Sequence, residues 1–164
     1  MTSLAVDAAP HRVLCFGNEL HGDDGFALAV GRQLAAQGLP AGWSLHEVGT
    51  RGLDALALLL DCQTALLLDA AQPAGQPGRL AELDPRTVPV ETGLAGHAMG
   101  LGYTLQALRS SGAPWPALRL LTAEMAAVQP YRLGLSAAVQ QAVAPAVQQV
   151  RAWMQAQDTV EPAP

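Results

Sequence analysis

Short apolar runs alternate with segments whose apolar residues recur at helical spacing, and this alternation constrains the fold more than any other feature of the chain. The runs are RVLCF (12–16), WSLHEV (43–48), TALLLDA (64–70), RLAEL (79–83) and ALRLLT (117–122), each of strand length. Between them, Phe26, Val30 and Leu34 mark a first helix, Leu53, Leu56 and Leu60 a short second one, and Leu101, Leu105 and Leu108 a third. Asp23 or Asp24 is placed to cap the first helix, and Gly38 with Pro40 to stop it. A last helix opens at Ser136 and sets Val139, Val143, Val147, Val150 and Met154 along one stripe, with Pro145 expected to bend or interrupt it. Apolar strands joined by amphipathic helices predict an α/β fold: a three-layer α/β/α sandwich around a mostly parallel five-stranded sheet, with 79–83 at an edge. At 164 residues the chain is expected to form a single domain over 1–164, with flexible tails at about 1–11 and 157–164.

Composition removes several function classes. All nine cations are arginine, so lysine chemistry is excluded: no phosphate loop ending in Gly-Lys and no Schiff base. A net charge of −5 without any basic run leaves no electrostatic footprint for nucleic acid. No apolar run approaches the roughly 20 residues of a membrane span, and MTSLAVDAAPHR lacks the features of an export signal, so a cytoplasmic protein with no membrane partner is expected; it is taken to be a monomer. Cys15 and Cys62 lie in or beside apolar segments and read as structural thiols. Against this background the only asparagine, Asn18, stands just after the first strand, where its turn-forming side chain is useful.

In open α/β sheets, ligands bind beyond the carboxyl ends of the strands. That rule selects Gly17, Asn18 and the acidic loop with Asp23 and Asp24 after the first strand, Gly49 and Thr50 after the second, Asp69 closing the third, and His97 before the third helix. Two carboxylates and one imidazole meeting at one rim suit a divalent transition metal, zinc, nickel, iron and manganese all being compatible. No G-x-S-x-G elbow is present, and Cys15 sits between Leu14 and Phe16, so neither serine nor cysteine is expected as a nucleophile.

The segments GNELHGDDGFA (17–27), LLLDAAQPAGQPG (66–78), GHAMGL (96–101) and QPYRLGLS (129–136) together resemble the hydrogenase maturation endopeptidases, from about residue 12 into the last helix. The resemblance implies an endopeptidase that removes the C-terminal extension of the nickel-iron hydrogenase large-subunit precursor after nickel insertion. It implies that Asp24, Asp69 and His97 are the metal-binding and catalytic residues, that the nickel arrives with the precursor, and that the free protein holds no tightly bound cofactor. Asp23 then orients or caps the loop, Gly17 and Asn18 form its turn, and Glu19 is a peripheral acid. His21 and His46 carry over no role. Two departures stand out: aspartate at 24 where some members carry glutamate, and HEVGT (46–50) where many have aspartate-glycine-glycine-threonine. Two alternatives remain, a nickel-binding maturation chaperone without protease activity and a Rossmann-like small-ligand module. The latter is disfavoured because GNELHG lacks the G-x-G-x-x-G fingerprint and its acids repel phosphate.

Overall fold

A computed structural model of the chain describes residues 9–90 and 100–158. Strands β1 (His11–Phe16), β2 (Trp43–Gly49), β3 (Thr64–Ala71), β4 (Leu80–Leu83) and β5 (Ala117–Glu124) form one sheet in the order β2-β1-β3-β5-β4. All pairings are parallel except that of β4 with β5. Helices α1 (Phe26–Gln37), α2 (Gly52–Leu60), α3 (Leu101–Ser111) and α4 (Ala137–Asp158) complete the sandwich.

Two apolar layers hold the three tiers together. On one face Val13, Cys15, Leu66 and Leu68 meet α1 and α4 through Phe26, Val30, Leu34, Val143 and Val150. On the other, Leu14, Phe16, Leu67 and Leu120 meet α2 and α3 through Ala55, Leu59, Leu105 and Leu108. Alternate residues of β1 and β3 thus serve opposite faces, the two-residue period of a strand buried on both sides. Gly31 allows α1 to approach closely: a Cβ there would stand 2.6 Å from the Cys15 Sγ.

Three expectations about elements need correction. The stripe of α2 that faces the core is Gly52, Ala55 and Leu59; Leu53 and Leu60 are exposed and Leu56 only half-buried. The segment GLDALALLL is apolar almost all round, so spacing alone does not single out a face and packing against α3 and the sheet decides it. The first helix is not capped by either aspartate: its N-cap is Gly25, and both acids lie in a preceding 3-10 turn, Gly22–Gly25. Finally, of the two outcomes expected at Pro145, interruption does not occur: α4 runs on through it from Ala137 to Asp158. Pro145 and Gln141, whose carbonyl loses its partner to the proline ring, both face solvent, where water can satisfy that carbonyl. Meanwhile Val139, Val143, Val147, Val150 and Met154 stay packed along the buried side. Ser136 does cap α4, its hydroxyl accepting from Val139 N at 3.4 Å, and Gly38 does stop α1 at φ 83°.

Candidate active site

The four parallel strands deliver their carboxyl ends to one rim, and a cleft of about 200 Å³ opens there. Gly17 and Asp24 come from beyond β1, Gly49 and Thr50 from the end of β2, Asp69 from β3 and Met125 from just past β5. The two carboxylates separated by 45 positions in sequence therefore share one cleft. Thr50 and Gly49 line it; His97 lies outside the described residues, but Gly100, three positions later and the N-cap of α3, is part of the cleft wall.

The loop carrying Asp24 is folded back by local chemistry. Asn18 builds a turn, its Oδ1 accepting from Leu20 N at 2.9 Å and its carbonyl from His21 N at 3.0 Å. The Asn18 amide in turn donates to Asp24 Oδ2 at 2.9 Å, fixing the carboxylate. Gly17, at φ 110°, makes this return possible: a Cβ there would sit 2.1 Å from the Asp24 carbonyl oxygen. Its amide donates to the Gly49 carbonyl at 3.0 Å, so the loops after β1 and β2 are joined at the mouth of the cleft.

Burial pushes the Asp24 carboxyl above its ordinary value, against the opposing pull of the Asn18 amide and of His21. A carboxylate kept partly from water in this way gains from a cation placed beside it. Asp69 stands across the cleft at the end of β3, with Oδ1 accepting from Ala70 N at 2.8 Å. Among the described residues no three His, Cys, Asp or Glu side chains gather as a metal-binding set; the cleft supplies two oxygen donors.

Asp23 points away from the cleft and serves the fold. It is almost fully buried, with Oδ1 accepting from Ser136 N at 2.6 Å and Oδ2 from Ala126 N and Ser136 Oγ at 2.8 and 2.9 Å. The paired acids thus divide: one is in the cleft, the other ties the loop between β5 and α4. Glu19 is half-exposed and pairs with Arg32, which also holds Glu47 of β2. Cys15 is buried, its thiol pushed up to about 12 mainly by burial, and Cys62 is half-buried with its thiol also raised by burial, both consistent with structural roles.

Sequence reasoning overlooked Gln72, Met125 and Glu124. Gln72 and Met125 line the cleft, and buried Glu124 accepts through Oε1 from Ala74 N and Gln76 N at 2.6 and 2.7 Å, shaping the loop that follows Asp69. The strand-end rule that selected Asp69 reaches them too once β3 is carried to Ala71 and β5 to Glu124, one and two residues past the predicted ends.

A family model for hydrogenase maturation proteases (HycI) matches residues 28–153. The hydrogenase expression/formation protein HupD of Rhodobacter capsulatus is 28% identical over 154 residues, covering 88% of this chain and 73% of that protein. The fold overlays on the hydrogenase maturating endopeptidase HybD of E. coli with a TM-score of 0.74 at 27% identity, covering 90% of this chain and 93% of that one. It also overlays on a hydrogenase 2 maturation peptidase from a Thaumarchaeota archaeon, with a TM-score of 0.65 at 28% identity and 88% and 97% coverage. With the matched model spanning most of its length and its fold shared with these endopeptidases, the chain belongs to the hydrogenase maturation protease family and is a peptide-bond hydrolase of hydrogenase maturation.

Proposed function

We propose that this protein removes the C-terminal extension of a nickel-iron hydrogenase large-subunit precursor after nickel insertion, and that it recognises the precursor's own nickel through Asp24, Asp69 and His97. The observation that carries the reading is the meeting of Asp24 and Asp69 in one cleft at the carboxyl edge of the sheet. Their hard oxygen donors, joined by an imidazole, suit a divalent ion that keeps positions open for its other ligands. The nickel is part of the substrate, so recognising it and positioning the peptide become one event. A precursor without nickel lacks the charge that a poorly solvated Asp24 carboxylate requires, and is bound less well.

The chain's own residues act by placement. Asn18 holds one oxygen of Asp24, Gly17 brings the loop against the end of β1, and the β3 backbone fixes Asp69 on the other side. Holding the substrate ion between these fixed groups confines the adjoining peptide segment to the rim, which raises the effective concentration of reacting groups. The position of Gly100 in the cleft wall supports His97 as the third donor.

Incubation with purified, nickel-loaded precursor tests this, with loss of the C-terminal peptide followed by mass spectrometry. The unmodified chain shortens the precursor, nickel-free precursor stays intact, and Asp69→Ala or His97→Ala slows cutting at least about 100-fold. Cutting at the wild-type rate by either variant overturns the assignment.

A further inference from the structure

Beside the cleft, the loop from Ala126 to Ser136 presents three apolar side chains to solvent: Val128 at 61%, Tyr131 at 91% and Leu133 at 75% exposure. Leu20, 53% exposed, lies on the neighbouring Asp24 loop, and the adjoining His21 ring sits 5.7 Å from that of Tyr131. We propose that this patch is the surface on which the folded body of the precursor docks. The inference rests on the function proposed above, which makes the substrate a folded protein whose nickel must reach the cleft.

Three observations carry it. The first is continuity with the cleft: Asp23, next to Asp24, binds Ala126 and Ser136, closing the loop at both ends with one carboxylate. Gly22 N donates to Arg132 O at 2.7 Å, and His21 forms a parallel bridge with Arg132. The patch and the Asp24 loop are thus one fastened unit, and whatever seats on the patch is held in register with Asp24. The second is backbone strain. Tyr131 is the only described residue other than glycine with positive φ, at 60°. A tyrosine held there with its ring in water costs conformational energy and contributes no burial to the fold, which is the pattern of a residue shaped for a partner.

The third is chemistry. A protein interface needs about 800 Å² on each partner, far more than a 200 Å³ cleft provides, so the surface around the cleft must take part. Tyrosine and arginine side by side, as in Tyr131 and Arg132, are the residue types that anchor such interfaces, and a pre-fastened loop loses little freedom on binding. The complementary surface is an apolar patch on the precursor close to its nickel.

Affinity and cutting are read separately. In an Asp69→Ala background, which blocks turnover, the dissociation constant for nickel-loaded precursor is measured by interferometry with and without the pair Tyr131→Gly and Leu133→Ser. The pair is expected to weaken binding at least tenfold, whereas Leu60→Ser, an exposed leucine at the far end of α2, leaves it unchanged. Because glycine adopts φ 60° without strain, Tyr131→Gly alone is expected to melt no lower than the unmodified protein, so weakened binding is not a folding defect. Unchanged affinity in the pair overturns the docking surface, as does conversion of a self-associated form to monomer at unchanged affinity, which assigns the patch to a second copy of this chain. Failure of the unmodified chain to cut the precursor overturns the proposed function instead, and the binding comparison still decides the docking surface.

Discussion

Asp23 and Asp24 are adjacent and chemically identical, yet their surroundings give them separate tasks. The 3-10 turn between Gly22 and Gly25 sends Asp24 towards the cleft and Asp23 into the interior, where two backbone amides and a hydroxyl meet it. A helix cap would have used the same carboxylate locally; here its partners lie 103 and 113 positions along the chain, and no local pattern announces them. Cys15 shows the same power of environment. Burial, with a smaller contribution from Glu47, lifts its thiol from 9.0 to about 12. An acid raised on folding leaves stability intact below the unfolded value and removes it as pH climbs from about 9 towards 12. Chemical denaturation is therefore expected to show native stability falling in that window by roughly 1 kcal/mol per pH unit more than in Cys15→Ala. Equal slopes in the two proteins contradict the buried-thiol account.

Between elements, the close approach of α1 to β1 gives the sharpest expectation. Adding a methyl group at Gly31 drives it into the Cys15 sulfur, and overpacking of this kind costs about 1–3 kcal/mol. Removing the sulfur makes room, so Gly31→Ala combined with Cys15→Ala is expected to be less destabilised than the sum of the two single changes. A double-mutant cycle by urea denaturation reads this, and additivity within about 0.5 kcal/mol denies the contact. Elements were legible where local signals agreed. The five strands, the Gly38 stop and the Ser136 cap follow from apolar runs and single punctuating residues. Tertiary packing decided the rest: which face of leucine-rich α2 goes inward, and whether α4 survives Pro145, an exposed residue on a helix held by its valine stripe.

Across the whole molecule, the order β2-β1-β3-β5-β4 places β1 and β3 inside, each with a strand on either side and helices above and below. Their amides open only when the molecule unfolds. Native-state hydrogen exchange is expected to find Val13–Phe16 and Leu66–Leu68 at the global unfolding free energy, and Leu80–Leu83 of the short edge strand exchanging at least about 100-fold faster. Comparable protection of the two sets contradicts this ranking. The same topology explains how much of the site was readable. Parallel strands must end on one edge, so Gly17, Gly49, Thr50, Asp69 and the acidic loop with Asp23 and Asp24 are picked out by position before any coordinates are known, whereas the choice of Asp24 within that loop comes from the family resemblance. Gln72 and Met125 were hidden because their place depends on where β3 and β5 stop, and strand ends are weakly marked in sequence.

The Glu124 carboxylate grips the chain at Ala74 and again at Gln76, and so works as a ruler for the bend leaving Asp69. The grips are on backbone amides, so the Ala74 and Gln76 side chains take no part in them, while Gly75 between, at φ 99°, keeps the turn. One residue inserted between the two anchors displaces a backbone amide from its acceptor deep in the protein. What the bend fixes is its length: how far the backbone travels after Asp69 before it is held.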